Sequence, residues 1–397
     1  MLNRTLRVLF VLAFAWCALV EIAEFVADFL FGMELDGDWF LLLTGSATSD
    51  RVAFLRANAW TLALAVASFA LLVASAFWIA CRASNRVFAA VVALVAVFVA
   101  VRVAHVGALR AWKPVYVAFD TVRSTRGYGR IGAAGRWTPE RAAQARTARD
   151  GATNYVFVIG ESLTTSRIQF FGYGKTTMPR LAALGDRLSV QGPVRVNTPY
   201  TVTALAQLLI SDGAAAPVWF RLGGWHTCFV GAHDRWGRYC SVEAAIFAAC
   251  EQRVYLSDIN DGKPIFDEQL LPHAERMMRH EPFALFVHMI GSHFRPETRV
   301  PPGFAADEGL DGYDRSVRYT DEVLGRLIAM LPPRTELVYI SDHGESVDVG
   351  HWRDVRSESL WLVPVFAYPA SVAPRISSVG DFVAAWRRAV AFGSAAD

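Results

Sequence analysis

Two short stretches of the chain carry side chains of the types that bind divalent metals. Glu161 follows the apolar run Tyr-Val-Phe-Val-Ile-Gly at 155–160, and the pair Asp342-His343 follows the run Glu-Leu-Val-Tyr-Ile at 336–340. Zinc accepts carboxylate oxygens and imidazole nitrogens as ligands. Structural zinc sites usually use four Cys or His ligands, so this mixed set predicts a catalytic metal with an open position. The alternative is that Asp342 only caps a turn at the end of a strand.

A hydroxyl group suited to nucleophilic attack lies in the stretch Asn-Thr-Pro-Tyr-Thr at 197–201. Thr201 comes just before the helical pattern at 204–210, and a helix N-terminus favours anionic groups such as phosphoryl oxygens. A free threonine is a poor nucleophile and needs activation, which metal coordination can supply. The alternatives are that Thr201 or Thr203 is only an N-cap, or that Thr203 is the reactive residue of the two.

Two further histidines are candidates for the same site. His293 ends the stretch Val-His-Met-Ile-Gly-Ser-His at 287–293, and His351 lies eight residues after His343. Either could bind phosphate, protonate a leaving group or hold a second metal. His288 falls within an apolar run, so we predict that it is buried and structural. The remaining histidines of the outer region have no such placement, and we treat them as ordinary: His226, His233, His273 and His280.

The order of apolar runs predicts how these residues are positioned. Runs at 155–159, 283–290 and 336–340 are typical of buried parallel strands, and helical patterns at 204–210 and 319–331 lie between them. Ligands of open α/β sheets bind beyond the carboxyl ends of the strands. The candidate metal ligands follow such ends. We therefore predict an α/β domain with a largely parallel sheet over residues 151–397.

The first 110 residues are much more apolar than the rest. Three segments there are each long enough to cross a bilayer of about 30 Å, and we expect three membrane spans. They cover Val8–Phe31, Ala59–Ile79 and Val87–Leu109. No convincing cleavage site follows the first segment, so we interpret it as a retained anchor and not as a signal peptide.

Basic residues predict the orientation of these spans. Arg4 and Arg7 precede the first span, and Arg82 and Arg86 lie between the second and the third. Since Lys and Arg prefer the cytoplasmic side, everything after the third span lies outside the cytoplasm. In a Gram-negative cell this predicts a multi-pass protein of the bacterial inner membrane with a periplasmic catalytic domain.

A linker is predicted between the membrane segments and the outer domain. It covers 111–150, is rich in arginine, and contains a possible short helix over Pro139–Arg149 that could touch anionic lipid headgroups. The net charge of +2 and the lack of a basic block argue against a nucleic-acid partner. Three cysteines of the outer domain could form one disulfide in an oxidising compartment, with a connectivity that spacing does not define. They are Cys228, Cys240 and Cys250.

Four motifs, in combination and order, carry a resemblance to a known family. They are Val-Ile-Gly-Glu-Ser at 158–162, Thr-Pro-Tyr-Thr at 198–201, His-Met-Ile-Gly-Ser-His at 288–293 and Ser-Asp-His-Gly-Glu-Ser at 341–346. The region from Asn154 to Pro364 resembles the phosphoethanolamine transferases of the alkaline phosphatase and sulfatase superfamily. These enzymes modify lipid A or lipopolysaccharide core, and some confer colistin resistance. Family members usually have five membrane spans, against the three predicted here.

The resemblance implies a site and a reaction. Glu161, Thr201, Asp342 and His343 would bind the catalytic zinc, and Thr201 would form a phosphothreonine-type intermediate. His293 and His351 would contact the phosphoryl group or a second zinc, so one or two zinc ions are expected. The donor would be phosphatidylethanolamine, and the acceptor lipid A, lipopolysaccharide core or a glycan. We expect a monomer in contact with membrane lipids.

Three alternatives from other classes stay open. A sulfatase would need a Cys/Ser-x-Pro-x-Arg segment for formylglycine, and the sequence has none. A phosphoglycerol transferase would share the metal ligands and the threonine. A degenerate membrane scaffold that kept the fold would be expected to have lost its ligands, yet all the candidate ligands are present.

Overall fold

The computed structural model describes residues 4–31, 55–56, 58–106, 126, 129–147, 151–235, 240–261, 263–306, 308–347 and 356–390. The chain divides into two compact units, Met1–Gly127 and Tyr128–Asp397. The first unit contains the three predicted apolar segments, and the second contains every candidate site residue. Of these, His351 lies outside the described residues.

Three long helices make up most of the described part of the N-terminal unit. They are α1 (Arg4–Phe31), α2 (Ala59–Arg82) and α3 (Asn85–Val106). The Arg7 guanidinium donates to the Ala80 carbonyl at 2.5 Å and to the Ala83 carbonyl at 3.1 Å, so the start of α1 lies beside the end of α2. It also donates to the Asn85 side chain at 2.8 Å. The predicted basic ends therefore lie together, as the orientation argument requires.

Two of the helices are long and apolar enough to cross a bilayer. They are Arg4–Val26, within α1, and α2, while the apolar stretch identified in α3 is the shorter Asn85–Phe98. Large apolar side chains on these helices are exposed within the described structure, for example Trp60 at 82% and Leu94 at 71%. Such exposure suits contact with lipid. Two of the three predicted spans are thus candidates, and the third stays a prediction.

The second unit contains the strands and the remaining helices. The strands are β1 (Asn154–Gly160), β2 (Ser189–Arg195), β3 (Ile210–Ser211), β4 (Ala214–Ala215), β5 (His226–Gly231), β6 (Gln252–Tyr255), β7 (Phe283–His288), β8 (Thr335–Ser341) and β9 (Leu362–Tyr368). The helices are α4 (Pro139–Gln144), α5 (Pro179–Ala182), α6 (Thr201–Leu209), α7 (Ala216–Leu222), α8 (Cys240–Ile246), α9 (Leu271–Met277), α10 (Gly312–Ala329) and α11 (Val379–Val390).

The described strands form one large sheet with the order β2-β9-β8-β1-β7-β5-β6, and β3 pairs with β4 separately. Strand β1 is parallel to both β7 and β8, and β5 is parallel to both β7 and β6. Strand β9 is antiparallel to both β8 and β2. The largely parallel sheet is therefore confirmed. The three predicted strands are β8, β1 and β7, which are neighbours at the centre of this sheet. Because they are parallel, their carboxyl ends lie at the same edge of the sheet.

Both faces of the sheet are buried under helices. Val156 and Val158 of β1 belong to the core cluster that contains the inner face of α10. Phe157 and Ile159 belong to the opposite cluster, which contains residues of α6 and α11. Trp386 of α11 is fully buried, and its indole N–H donates to the carbonyl of Leu208 in α6 at 2.9 Å. This arrangement explains why β1 is apolar on both sides.

Two sequence expectations concern the periphery of this unit. The short helix expected within Pro139–Arg149 is present as α4, capped by the Thr138 hydroxyl, and Arg141 donates to the Gly213 carbonyl at 3.2 Å. Cys228 and Cys250 are both free and buried, so neither contributes the disulfide that the composition allowed. The side chain of Cys240 lies outside the described residues.

The loop after β7 is held tightly against the end of β1. Gly291 has φ +50°, and a Cβ atom there would lie 2.6 Å from the Glu161 carbonyl oxygen and 3.0 Å from the Glu161 nitrogen. The buried Asp267 carboxylate accepts the N–H groups of Ile290 and Gly291 at 2.7 and 2.9 Å. Ser292 N–H donates to the Glu161 carbonyl at 3.0 Å. Only glycine fits here, and it fixes the backbone of Glu161.

This contact predicts that Gly291→Ala destabilises the protein more than a matched substitution does. Gly185 has a similar φ of +53°, but a Cβ atom there would meet no described atom within 4 Å, so Gly185→Ala costs only backbone strain of about 1 kcal/mol. Gly291→Ala adds overpacking of about 2 kcal/mol. The thermal midpoint of the detergent-purified chain should fall about 4–8 °C further for Gly291→Ala. Equal midpoints for the two variants would contradict the close contact.

Candidate active site

Three elements deliver the four predicted metal ligands to one edge of the sheet. Glu161 follows β1, Asp342 and His343 follow β8, and Thr201 is the first residue of α6. Glu161 and Asp342 are completely buried and His343 is 1% exposed, while Thr201 is partly buried. Since β1 and β8 are parallel neighbours, their carboxyl ends bring these side chains together.

The four side chains form one cluster. The Thr201 hydroxyl donates to Glu161 Oε2 at 3.0 Å and lies 3.4 Å from His343 Nε2. His343 Nε2 lies 3.3 Å from Glu161 Oε1 and 3.3 Å from Asp342 Oδ2. Residues separated by as many as 182 positions thus present two carboxylates, one imidazole and one hydroxyl to a common point.

The neighbouring threonine has a different environment. The Thr203 hydroxyl donates to the Tyr200 carbonyl at 3.0 Å and shares a hydrogen bond with the Thr198 hydroxyl at 2.6 Å. These bonds are local to the start of α6 and involve none of the acidic side chains of the cluster. Of the two threonines left open by the sequence, the geometry favours Thr201.

The backbone after β1 is strained where it presents Glu161. Ser162 has φ +58°, which is unusual for a residue other than glycine, and strain of this kind is typical of functional sites. Its N–H donates to Asp342 Oδ1 at 3.1 Å, and its hydroxyl donates to Glu161 Oε1 at 2.7 Å. The buried Tyr313 hydroxyl donates to the Ser162 carbonyl at 2.6 Å. Together these bonds hold the strained turn and orient both carboxylates.

The donor set fits a zinc ion. Asp342 Oδ1 accepts two backbone N–H groups, but Oδ2 is buried and has no hydrogen-bond partner among the described residues. His343 Nδ1–H donates to the Gly344 carbonyl at 2.7 Å, which leaves the Nε2 lone pair facing the cluster. Zinc with ligands at about 2.0–2.2 Å separates neighbouring tetrahedral ligands by about 3.4 Å. The spacings of 3.0–3.4 Å within the cluster are close to this value.

Burial and charge pull the carboxyl groups in opposite directions. Burial alone would raise the pKa of Glu161, but the surrounding imidazoles of His343, His293 and His233 lower that pKa well below its usual value. Burial, with the Glu161 charge adding to it, raises the pKa of Asp342 to about 6. Glu161 therefore ionises more readily than Asp342, as expected when two buried acids share a site.

His293 lies beside the cluster and not within it. Its ring centroid is 6.0 Å from that of His233, and Arg299 Nη2 lies 3.3 Å from its Nδ1. His293 is also close enough for its charge to lower the pKa of Glu161. Its role toward a bound group stays a prediction. The role of His351 stays a prediction.

Two histidines that the sequence did not predict for the site lie beside Glu161. His233, treated as ordinary, is 3.8 Å from Glu161 Oε2, and His288, treated as structural, ends β7 within the same group of potential ligands. The apolar run Cys-Phe-Val at 228–230 could have indicated this placement of His233, because it belongs to β5 and His233 comes just after the end of that strand.

Burial and the nearby His288 lower the pKa of His233 to about 4. Burial disfavours the charged form of His288, but Glu243 outweighs it and the pKa is raised.

The sequence around this site matches a known protein family. The family model described as Sulfatase matches residues 153–386, which is more than half of the chain. The chain belongs to the sulfatase family. This match covers β1 through most of α11, so it includes all the described strands and the whole cluster around Glu161.

Within the sulfatase family, the chain is similar to phosphoethanolamine transferases. EptC of Escherichia coli (strain K12) is 27% identical over 234 residues, covering 48% of this chain and 39% of that protein. The Kdo(2)-lipid A phosphoethanolamine 7''-transferase of the same strain is 26% identical over 227 residues, covering 49% of this chain and 40% of that protein. The match therefore spans less than half the length of these relatives.

Two solved structures share the fold. The zinc complex of the C-terminal periplasmic domain of EptC from Escherichia coli has a TM-score of 0.54 at 21% identity, covering 61% of this chain and 83% of that one. The integral membrane protein EptA from Neisseria meningitidis, a lipooligosaccharide phosphoethanolamine transferase, has a TM-score of 0.57 at 16% identity, covering 97% of this chain and 81% of that one. These likenesses confirm an alkaline phosphatase and sulfatase-like α/β architecture with N-terminal apolar helices.

The geometry predicts that zinc stabilises the protein through Asp342. After chelator treatment, zinc added at 100 times its Kd should stabilise the chain by about 2.7 kcal/mol and raise the thermal midpoint by about 5–10 °C. Asp342→Asn should lose at least half of that rise, because the amide is a poorer ligand. Asp258→Asn, at a partly exposed ion pair with Arg235, is the control and should keep the full rise. Equal rises in both variants would count against a metal at Asp342.

Proposed function

We propose that this member of the sulfatase family transfers phosphoethanolamine from phosphatidylethanolamine to a cell-envelope acceptor, with Thr201 carrying the group between the two. The acceptor would be lipid A, lipopolysaccharide core or a glycan. One observation carries the proposal: the Thr201 hydroxyl lies at a helix N-terminus and donates to a buried carboxylate beside an imidazole. The relatives' transferase activity supports the same reaction.

Zinc held by Glu161, Thr201, Asp342 and His343 would activate the Thr201 hydroxyl and neutralise negative charge on the phosphoryl oxygens. The protein groups would do the positioning. Glu161 Oε2 accepts the hydrogen bond from the Thr201 hydroxyl and so orients the oxygen. The first N–H groups of α6 have no partner within the helix and favour an anionic group beside Thr201.

The transfer would occur in two steps. In the first, the Thr201 hydroxyl gives up its proton to a base as Oγ bonds to the donor phosphorus, the bond from phosphorus to the diacylglycerol oxygen breaks, and that oxygen takes up a proton. In the second, an acceptor oxygen bonds to phosphorus, losing its proton if it is a hydroxyl, and Thr201 Oγ leaves and regains a proton. His293 is suited to supply and recover the proton because its ring lies beside the cluster and Arg299 contacts its Nδ1.

A lipid donor would explain the apolar N-terminal unit. We propose that α1, α2 and α3 all span the bacterial inner membrane, with 1–110 as the membrane domain, 111–150 as the linker and 151–397 as a periplasmic catalytic domain. The exposed apolar surfaces of α1 and α2 support the first part of this proposal. The periplasmic domain of EptC and the membrane protein EptA support the rest by analogy of fold.

Two threonines on the first turn of α6 provide a matched test of the nucleophile. Thr201→Ala should lower diacylglycerol release from phosphatidylethanolamine by roughly 10³-fold or more, since it removes the attacking oxygen. Thr203→Ala should stay within a few-fold of wild type, because among the described residues its hydroxyl bonds only to Tyr200 and Thr198. Labelled lipid, full-length protein in detergent and product chromatography provide the rates. Loss of activity in Thr203→Ala alone would overturn the assignment.

The identity of the transferred group needs its own test. The protein should be incubated with purified lipopolysaccharide and vesicles of either phosphatidylethanolamine or phosphatidylglycerol. The masses of the lipopolysaccharide products are then measured by mass spectrometry. We expect phosphoethanolamine on the lipopolysaccharide from the first donor and no transfer from the second. Transfer of phosphoglycerol from the second donor would instead identify a phosphoglycerol transferase.

A further inference from the structure

A second group of potential ligands shares Glu161 with the first. It consists of Glu161, His233 and His288, whose ligand atoms all lie within 4.8 Å of one another. His233 follows β5 and His288 ends β7, so two more parallel strand ends reach the same edge of the sheet. The two imidazole rings stack with centroids 4.2 Å apart, and Glu161 Oε2 lies 3.8 Å from His233 Nε2.

The hydrogen bonding of His288 is that of a metal ligand. Its Nδ1 is bonded to the carboxylate of Glu243 on α8, and the ring is completely buried. Its other nitrogen, Nε2, is buried and has no hydrogen-bond partner within the described part of the chain. A carboxylate on one imidazole nitrogen orients the ring and directs the other nitrogen toward a metal in many metal sites. A buried nitrogen without a partner is destabilising, and a bound ion would compensate it.

The geometry points to a second divalent-metal position, held by Glu161, His233 and His288 and suited to zinc. Glu161 would bridge the two positions, with one carboxylate oxygen toward each. Imidazole and carboxylate donors suit zinc, and three protein ligands leave one position open. His233 Nε2 also lies 3.0 Å from the Met289 carbonyl oxygen, a hydrogen bond that metal binding at this nitrogen would replace.

The second position would lie beside the proposed nucleophile. Glu161 Oε2 is the oxygen that contacts both Thr201, at 3.0 Å, and His233. A cation held there would compensate the buried Glu161 charge and leave an open position for a phosphoryl oxygen next to Thr201. The proposed function needs only the first zinc, so this second position goes beyond it. The second position still rests on the proposed function, because both positions share Glu161.

Metal stoichiometry tests this position directly. The full chain, purified in detergent, is equilibrated with buffered zinc. The amount of zinc bound per chain is then measured by elemental mass spectrometry. Wild type should hold two equivalents and His233→Ala one. His280→Ala removes an exposed histidine outside both groups and should still hold two. Wild type with one equivalent, or His233→Ala with two, would overturn the second position.

A positioning variant guards against misfolding as the cause of metal loss. Glu243→Gln keeps the size of the side chain but removes the carboxylate behind His288, and should weaken the second equivalent about 10–100-fold while leaving the first unchanged. Unchanged affinity for both equivalents would contradict the role of His288. Failure of this inference would leave the Thr201 chemistry intact, because that chemistry is tested by the rates of Thr201→Ala and Thr203→Ala.

Discussion

A negative charge at the end of the central strand organises the candidate site. Glu161 is completely buried, and an unpaired carboxylate in such a place costs several kcal/mol. The surrounding residues compensate it: the Thr201 and Ser162 hydroxyls donate to its oxygens, and His343 and His233 lie close by. The same residue accounts for the glycine at 291, whose backbone contact with Glu161 leaves no room for a side chain.

The family name and the proposed activity differ for a chemical reason. Sulfatases use a formylglycine formed from a Cys or Ser in a Cys/Ser-x-Pro-x-Arg segment, which this sequence does not contain. Here the candidate nucleophile is a threonine at the start of α6, beside the candidate metal ligands. The fold is shared with the family, whereas the reaction depends on the nucleophile, which we propose to be Thr201.

Much of this site could be predicted because strong local signals marked it. The apolar runs of β1, β7 and β8 are buried on both faces, and each is followed by polar residues, so strand ends and ligands were visible together. His233 was missed because β5 opens with polar residues and its place beside β7 depends on the order of strands. His288 is buried, as predicted, but its contact with Glu243 could not be predicted because the two residues are 45 positions apart. Two of the three expected spans meet the length and apolarity requirement, whereas α3 has a shorter identified apolar stretch.

The most direct test of the account is to find the transferred group on the protein. Wild-type chain mixed with phosphatidylethanolamine in the absence of acceptor should be quenched in acid, digested and analysed by tandem mass spectrometry. The account predicts the mass of one phosphoethanolamine group on Thr201, lost again when lipopolysaccharide is added before quenching. Modification at Thr203, or turnover with no modified peptide at any time point, would contradict it.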